Sequence, residues 1–422
     1  MLIKSLFLDN YRCFKKFDIS FDDRLTVLVG ENGEGKTSIL DALSVFLVRA
    51  AHPVDKRILN YSIPLGDVAI GAKAKDVTYR IAITPRSGTN DSISFDFQNH
   101  GEMYNKINLR IKDFSEKAEH ILGSEEFISC AYMSGRIVQE KDTILKESFN
   151  NPSAYAANEN NFNRTIDYKS TLSWFDKMDA DEARSMRDSG TNIELPELAA
   201  VREALSKALL GQYERPRMLG NPPELIVYKK GTNVAYKLSQ LSDGYRAMLA
   251  LVMDLARRMA QFNNAGNSPE KSLLHTPAIV LIDEIELHLH PSWQQTVLTT
   301  LMDIFPNTQF IVTTHSPQVL SAIHSKHIRV LSGGEAYTYD EQTEGAEASR
   351  LLKRVFGVQL RPAGLEIVKA LNEYTNMVYA ESWDSPEAKK LHERLIEHFG
   401  DDDPILMELE LHIENAKWEK GL

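Results

Sequence analysis

The segment that most restricts the fold runs from Leu25 to Leu47, LTVLVGENGEGKTSILDALSVFL. An apolar, β-rich run (Leu25 to Val29) leads into Gly30-Glu31-Asn32-Gly33-Glu34-Gly35-Lys36-Thr37, and apolar residues then recur at helical spacing. This is G-x-x-x-x-G-K-[ST] between a strand and a helix, the context in which the motif forms a phosphate-binding loop. Glycines let the backbone take positive φ and turn its N–H groups inward, forming an anion nest at a helix N-terminus. Lys36 brings a positive charge to the β- and γ-phosphates of a nucleotide, and Thr37 offers its hydroxyl to Mg²⁺. Gly30 through Thr37, with Ser38 directly behind them, are the expected ATP-binding set.

A nucleotide site also needs a carboxylate on the metal side and another to orient the attacking water. AIVLIDE supplies them: an apolar strand run from Ala278 to Ile282 ends in Asp283, assigned to Mg²⁺, and Glu284, assigned as general base. The C-terminal ends of strands are where open parallel sheets bind ligands. A different reading competes, because LIDEIELHLHP also holds Glu286, His288 and His290, all metal-ligating types. The two histidines face opposite ways in a helix. In a strand they share a face, but Asp283 then lies on the other. The nucleotide reading is therefore preferred, and His288 and His290 line a turn near the nucleotide or a subunit contact, or are plain loop residues.

Two further segments fit the same site. In QLSDGYRAMLALVMDLARRM, Ser242 is a candidate N-cap for a helix over Gly244–Met259, with Met248, Leu249, Val252 and Leu255 at helical spacing. A Ser-x-Gly helix start is another anion site. In TQFIVTTHSPQVL the apolar run Phe310–Val312 ends at two threonines, His315 and a Ser-Pro turn. A histidine just past a strand end can reach a γ-phosphate.

The rest of the chain constrains the setting. Its 422 residues suffice for two or three domains, and a net charge of −11 argues against a surface that binds nucleic acid all over, leaving room for a local basic groove. Cys13 and Cys130 are too few for a disulfide framework, which points to a reducing cytoplasm. Lys4, Asp9 and Arg12 interrupt the N-terminus before a signal-peptide run forms, and no apolar segment approaches the ~20 residues of a membrane span.

From Asp67 to about Phe97 apolar and polar residues alternate, which predicts strands of an antiparallel lobe beside the phosphate loop. Ser148 to Thr165, rich in Asn and Ala, reads as a mobile loop, and two helical stretches follow. Arg184, Arg187, Arg202 and Lys207 either contribute to a DNA-facing groove or are helix-face charges balanced by neighbouring acids. After Gly345 the pattern is helical, with Ser385-Pro386 as a helix start. Asp401-Asp402-Asp403 suggests a metal-dependent nuclease, but Pro404 behind it favours capping and turn roles. The expected division is 1–145 and 236–345 as the two halves of one head, 146–235 as a largely helical insertion and 346–422 as a helical tail.

Taken in order, these motifs resemble the ABC-type ATPases of the SMC/RecF/OLD group. GENGEGKT resembles their Walker A, LSDGYR their signature, VLIDEIELHLHP their Walker B and D-loop, and TTHSP their switch-histidine segment. FLDNYRCFKKFDISF resembles their opening hairpin, which implies that Arg12 reaches the nucleotide. The fold implied is α/β: a P-loop ABC-type head with a mixed sheet and an antiparallel β lobe, a compact helical insertion and a helical tail. The resemblance also implies a head-to-head homodimer, or a higher homo-oligomer, with ATP and Mg²⁺ between the heads. Ser242 and Gly244 would then act in trans, Glu284 and His315 would be catalytic, and Gln139 is a Q-loop candidate on the metal. Asp243 departs from the family, which usually has Gly there.

Some 200 residues separate Walker A from the signature, more than in membrane-transporter subunits, and no heptad arms of an SMC protein are present. The ~80 residues of the tail do not resemble the strand-rich nuclease domain of OLD proteins. The whole is most similar to the PtuA family, the ATPases of Septu and retron-associated anti-phage systems. That resemblance implies a separate HNH-type nuclease partner (PtuB-like), contact with DNA or RNA, and no membrane partner. A RecF-like repair ATPase that clamps DNA without a nuclease is the alternative.

Overall fold

The computed structural model describes residues 1–50, 61–64, 67–70, 72–73, 77–84, 93–103, 106–111, 127–133, 168–190, 194–209, 211–220, 224–241, 243–263 and 273–419. Gln139, the Ser148–Thr165 stretch and Ser242 lie outside the described residues. Contacts divide the chain into two compact units, Met1–Leu351 and Leu352–Leu422.

The first unit opens with a hairpin of strands β1 (Leu2–Tyr11) and β2 (Phe14–Ser20), then β3 (Leu25–Gly30), helix α1 (Lys36–Ala50) and strands β4 (Tyr61–Pro64), β5 (Thr78–Thr84), β6 (Ile93–Met103), β7 (Lys106–Ile111) and β8 (Ile128–Tyr132). The alternating stretch forms β5 and the start of β6, and the lobe is larger than that stretch. Its six strands run β2-β1-β5-β6-β7-β4, each pair antiparallel, so the opening hairpin is part of the lobe. A register shift between Ile3 and Ser5 breaks the period-two burial of β1.

Helices α2 (Tyr168–Ser189) and α3 (Pro196–Ala208) follow, then β9 (Tyr213–Leu219), β10 (Glu224–Lys229) and β11 (Ala235–Lys237). A three-stranded antiparallel sheet, β11-β10-β9, follows the two helices, with β9 and β10 inside 146–235 and β11 crossing its end, and the largely helical reading did not foresee it. The signal was present: Leu225 and Val227 alternate inward on β10. On the helices Arg202 pairs with Asp179 (2.6 Å) and Glu182 (2.8 Å), Arg184 with Asp181 (2.8 Å) and Lys207 with Glu203 (3.0 Å). Neighbouring acids therefore balance these three bases, and they do not stand as a free basic groove.

Helix α4 (Asp243–Asn263) begins where the signature predicts but runs four residues past Met259. Ala260 and Phe262 are as buried as the residues before them, so packing continues the helix. From Met248 to Ala260 it is buried on every side, which forces its charges into pairs. Asp254 accepts from Arg257 (2.8 Å), Arg258 (2.7 Å), Tyr132 Oη on β8 (2.9 Å) and Thr171 Oγ1 on α2 (3.3 Å). Burial alone would raise its pKa, but Arg258 and Arg257 outweigh burial and hold the carboxyl well below the usual carboxylate range. Asp254→Ala removes the carboxylate that two buried guanidiniums share. We expect a loss of about 3–5 kcal/mol in urea unfolding; an unchanged midpoint would show that this network does not hold the helix.

The central sheet is completed by β12 (Ala278–Ile282), β13 (Thr308–Thr313), β14 (Ile328–Ser332) and β15 (Glu335–Thr338), with short helices α5 (Pro291–Gln294), α6 (Val297–Ile304) and α7 (Pro317–Leu320) between them. Its order is β15-β14-β3-β13-β12-β8. All neighbours are parallel except β14 and β15. Every residue of β3, β8, β12 and β13 is buried, as both-face coverage of a parallel sheet requires.

In the second unit, α8 (Glu366–Tyr379), α9 (Pro386–Phe399) and α10 (Pro404–Glu419) share a core of Leu371, Tyr374, Val378, Leu395, Leu406 and Leu409. Ser385 Oγ caps α9 by accepting from Ala388 N (3.1 Å). Asp403 Oδ1 accepts from Ile405 N (3.1 Å) at the start of α10, and its other oxygen pairs with Arg361 (2.5 Å). The third of the three aspartates therefore serves as a cap.

Candidate nucleotide site

Lys36, Asp283 and His315 are far apart in sequence, yet they follow three neighbouring parallel strands, β3, β12 and β13. Parallel pairing aligns the C-terminal ends of those strands, and this edge gathers the site.

The phosphate loop leaves β3 at Gly30. A Cβ on Gly30 would lie 2.6 Å from the Leu331 carbonyl, so only glycine fits. Gly33 and Gly35 have φ of 95° and 91°. A Cβ on Gly35 would also meet Phe14 Cζ at 2.3 Å and Cys13 Sγ at 2.7 Å, because the opening hairpin packs onto the loop. Lys36 is 6% exposed and donates from Nζ to the carbonyls of Gly30 and Glu31, both at 2.8 Å. Burial lowers its pKa, and Asp283, Glu284, Glu34 and Glu286 counter that. The ammonium is thus drawn into the mouth of the nest, with hydrogen bonds that substrate phosphates can replace. Glu31 and Asn32 are exposed at the loop tip, and Ser38 lies one residue into the helix after Thr37.

Asp283 is buried, and its backbone N–H continues the ladder to Tyr132 O (2.8 Å). Its carboxylate accepts from Thr37 Oγ1 (3.1 and 3.3 Å) and from Thr313 Oγ1 (2.7 Å). A hydroxyl beside a carboxylate is a hard-oxygen pair that suits Mg²⁺. Among the described residues no group of three His, Cys, Asp or Glu side chains could hold an ion alone. An ion there would need ligands beyond Thr37 and Asp283. Glu284 sits at φ 48°, left-handed backbone that a non-glycine residue adopts only under constraint. Its backbone is held by Thr313 Oγ1, which accepts from Glu284 N at 2.7 Å, and by the bonds from Ile285 N to Thr313 O (3.0 Å) and from Leu287 N to Glu284 O (2.9 Å).

His315 follows β13, half-buried, with its pKa lowered by burial and by Lys36 against the pull of Glu286, Glu284 and Asp283. Glu286 accepts from Thr314 Oγ1 (2.7 Å) and His315 N (2.6 Å). Gln294 accepts from Ser316 Oγ (2.6 Å) and donates to Leu289 O (2.9 Å). Thr313, Glu286 and Gln294 were not assigned from sequence. Threonine, glutamate and glutamine at strand ends and in turns carry no spacing signal that separates these contacts from solvent exposure.

Arg12 sits at φ 49° in the turn of the opening hairpin, pairing with Asp41 (2.6 Å) and Asp67 (3.0 Å) and reaching Ser38 Oγ at 3.5 Å. It therefore stands beside the phosphate-loop helix. Gly244 is packed against the turn after β12: a Cβ there would come within 2.5 Å of His288 O. His288 lies in that turn at φ 66°, and His290 caps α5, its Nδ1 3.4 Å from Ser292 N. Both histidines thus occupy the turn, away from any shared ligand set.

This fold and this gathering of a phosphate loop, strand-end carboxylates and a strand-end histidine define a P-loop ATPase head of the ABC type. The chain belongs to the family described as "AAA domain, putative AbiEii toxin, Type IV TA system", whose model matches residues 25–321. It is 42% identical over 222 residues to the Retron Ec83 probable ATPase of Escherichia coli, covering 53% of this chain and 40% of that one. It is 24% identical over 385 residues to the Retron Vc95 probable ATPase of Vibrio cholerae serotype O1 biovar El Tor, covering 78% and 73%. To the Septu protein PtuA of Bacillus mycoides it is 26% identical over 313 residues, covering 73% and 36%. The matches thus span less than half the length of the first and third relatives. No helix among the described residues is long and apolar enough to cross a membrane.

Proposed function

We propose that this chain is the ATP-hydrolysing subunit of a cytoplasmic anti-phage defence complex. In this reading it works as a head-to-head dimer, or a larger homo-oligomer, and its nucleotide state governs a separate HNH-type nuclease of the PtuB kind. The observation that carries the reading is the convergence of Lys36, Thr37, Asp283, Glu284 and His315 at one edge of the parallel sheet. Its support as a defence ATPase is the similarity to retron and Septu ATPases.

The amides of Gly30 to Ser38 and the Lys36 ammonium bind the triphosphate, with Arg12 at its flank. Thr37 and Asp283 would hold Mg²⁺, with Gln139 as a further candidate ligand, and the ion would supply neutralisation of the phosphate charge. Glu284 orients the attacking water and accepts its proton. His315, its pKa lowered by burial and by Lys36, hydrogen-bonds at the γ-phosphate end of the site. Ser242 and Gly244 of one head complete the site of the other.

The test is gentle purification of the tagged chain from its native operon, with mass spectrometry of what accompanies it. A stoichiometric HNH protein supports the proposal. A homodimer that retains DNA only with ATP, and brings no nuclease, would replace it with the RecF-like clamp.

A further inference from the structure

Glu286, in the turn after β12, has no role in the reading above, yet both of its carboxylate oxygens are engaged. That turn is tight: Leu287 N donates to Glu284 O and Leu289 N to Glu286 O, both at 2.9 Å. The two carboxylate oxygens are divided between two groups of one neighbouring segment. One accepts from the buried Thr314 hydroxyl at 2.7 Å, the other from the backbone N–H of His315 at 2.6 Å. Strand β13 ends at Thr313, so at His315 this carboxylate does what a strand ladder no longer does.

The whole exit from β13 is pinned from the β12 side. Thr313 is held by Asp283 and Glu284 N, Thr314 and His315 by Glu286, and Ser316 by Gln294. Within this series Glu286 supplies the bond to the histidine itself. An acidic side chain so near a triphosphate site would repel the substrate if it pointed inward. Both oxygens instead accept from the switch segment, and the charge acts on Lys36 and His315, raising the pKa of each against burial. The far end of the same turn presents His288 O to Gly244, so the turn lies between the signature helix and the histidine.

We infer that Glu286 is the positioning residue of the switch: it holds the His315 amide and the Thr314 hydroxyl so that the imidazole stays in place at the catalytic edge. The inference rests on the ATPase reading above, and Glu286 acts through His315 without touching substrate.

The experiment is a double-mutant cycle on the full chain. Turnover and affinity for a fluorescent ATP analogue are measured for the wild type, Glu286→Ala, Glu286→Gln, His315→Ala and the Glu286→Ala/His315→Ala double mutant. A group displaced by about 1 Å loses on the order of 100-fold in rate. Glu286→Ala is expected to lower kcat by roughly 10- to 100-fold with nucleotide affinity within about twofold. Glu286→Gln, whose amide oxygen still accepts from His315 N, retains most of the activity. In the His315→Ala background, removing Glu286 costs nothing further. Losses that multiply in the double mutant, unchanged kcat in Glu286→Ala, or a matching loss of nucleotide affinity would each overturn the positioning role. A wild-type chain without ATPase activity would instead overturn the ATPase reading and this inference with it, whereas a fully active His315→Ala would overturn the inference and leave the ATPase reading standing.

Discussion

Lys36→Ala is expected to lower ATP affinity by on the order of a hundredfold or more, which corresponds to ~3 kcal/mol and the loss of charge-assisted hydrogen bonds to phosphate. Lys36 Nζ already lies at the loop carbonyls of Gly30 and Glu31, and little of the side chain meets solvent. It is therefore held in position before a ligand arrives, and its removal takes away charge that no other base in the loop supplies. The fold itself should survive. Two hydrogen bonds to carbonyls are lost, each worth about 1 kcal/mol, while β3 and α1 keep their packing. Titration with a fluorescent ATP analogue, alongside thermal melts, separates the two effects. Near-normal affinity in a folded variant would remove the phosphate-loop assignment.

Glu284→Gln is expected to leave ATP binding intact while turnover falls by roughly 10²- to 10⁴-fold, the range of a lost general base. The substitution is nearly isosteric, and the Thr313 bond that fixes residue 284 uses its backbone N–H, so the left-handed conformation persists. Binding without hydrolysis should trap the ATP-bound dimer, which light scattering would register as a doubled mass with ATP and Mg²⁺. Wild-type turnover in this variant would move the base elsewhere. Glu286 is a poor substitute, because both of its oxygens are already engaged.

Much of the site was legible because its chemistry is local. The loop from Gly30 to Thr37 needs glycines, a lysine and a threonine in one order, and no other arrangement of those residues makes the same nest. Asp283, Glu284 and His315 could be read because each follows an uninterrupted apolar run, the mark of a strand buried on both faces. The Ser385-Pro386 start and the Asp403 cap were legible for the same reason, since a cap acts within one turn.

Where the sequence was ambiguous, the deciding partner lay far along the chain. Arg202 reads equally as a nucleic-acid contact or a solvated charge until Asp179 and Glu182 are brought beside it. Helix α4 reads as amphipathic until its polar face is packed and Asp254 meets Arg257, Arg258, Tyr132 and Thr171. Gly244 reads as part of an anion site, and the fold adds a second demand on it, the carbonyl of His288 at its back.

By itself, then, the sequence determined the strands and helix that build the phosphate loop, the ends at which the carboxylates and the histidine stand, and the order in which they follow one another. All of these arise from residue type and spacing over a few turns. Only the tertiary structure decided that β3, β13 and β12 are neighbours, that Thr313 ties Asp283 to Glu284, and that Glu286 reaches His315. Those contacts depend on which distant strands pair and in which register, and a threonine or glutamate carries no local sign of the partner that parallel pairing will place beside it.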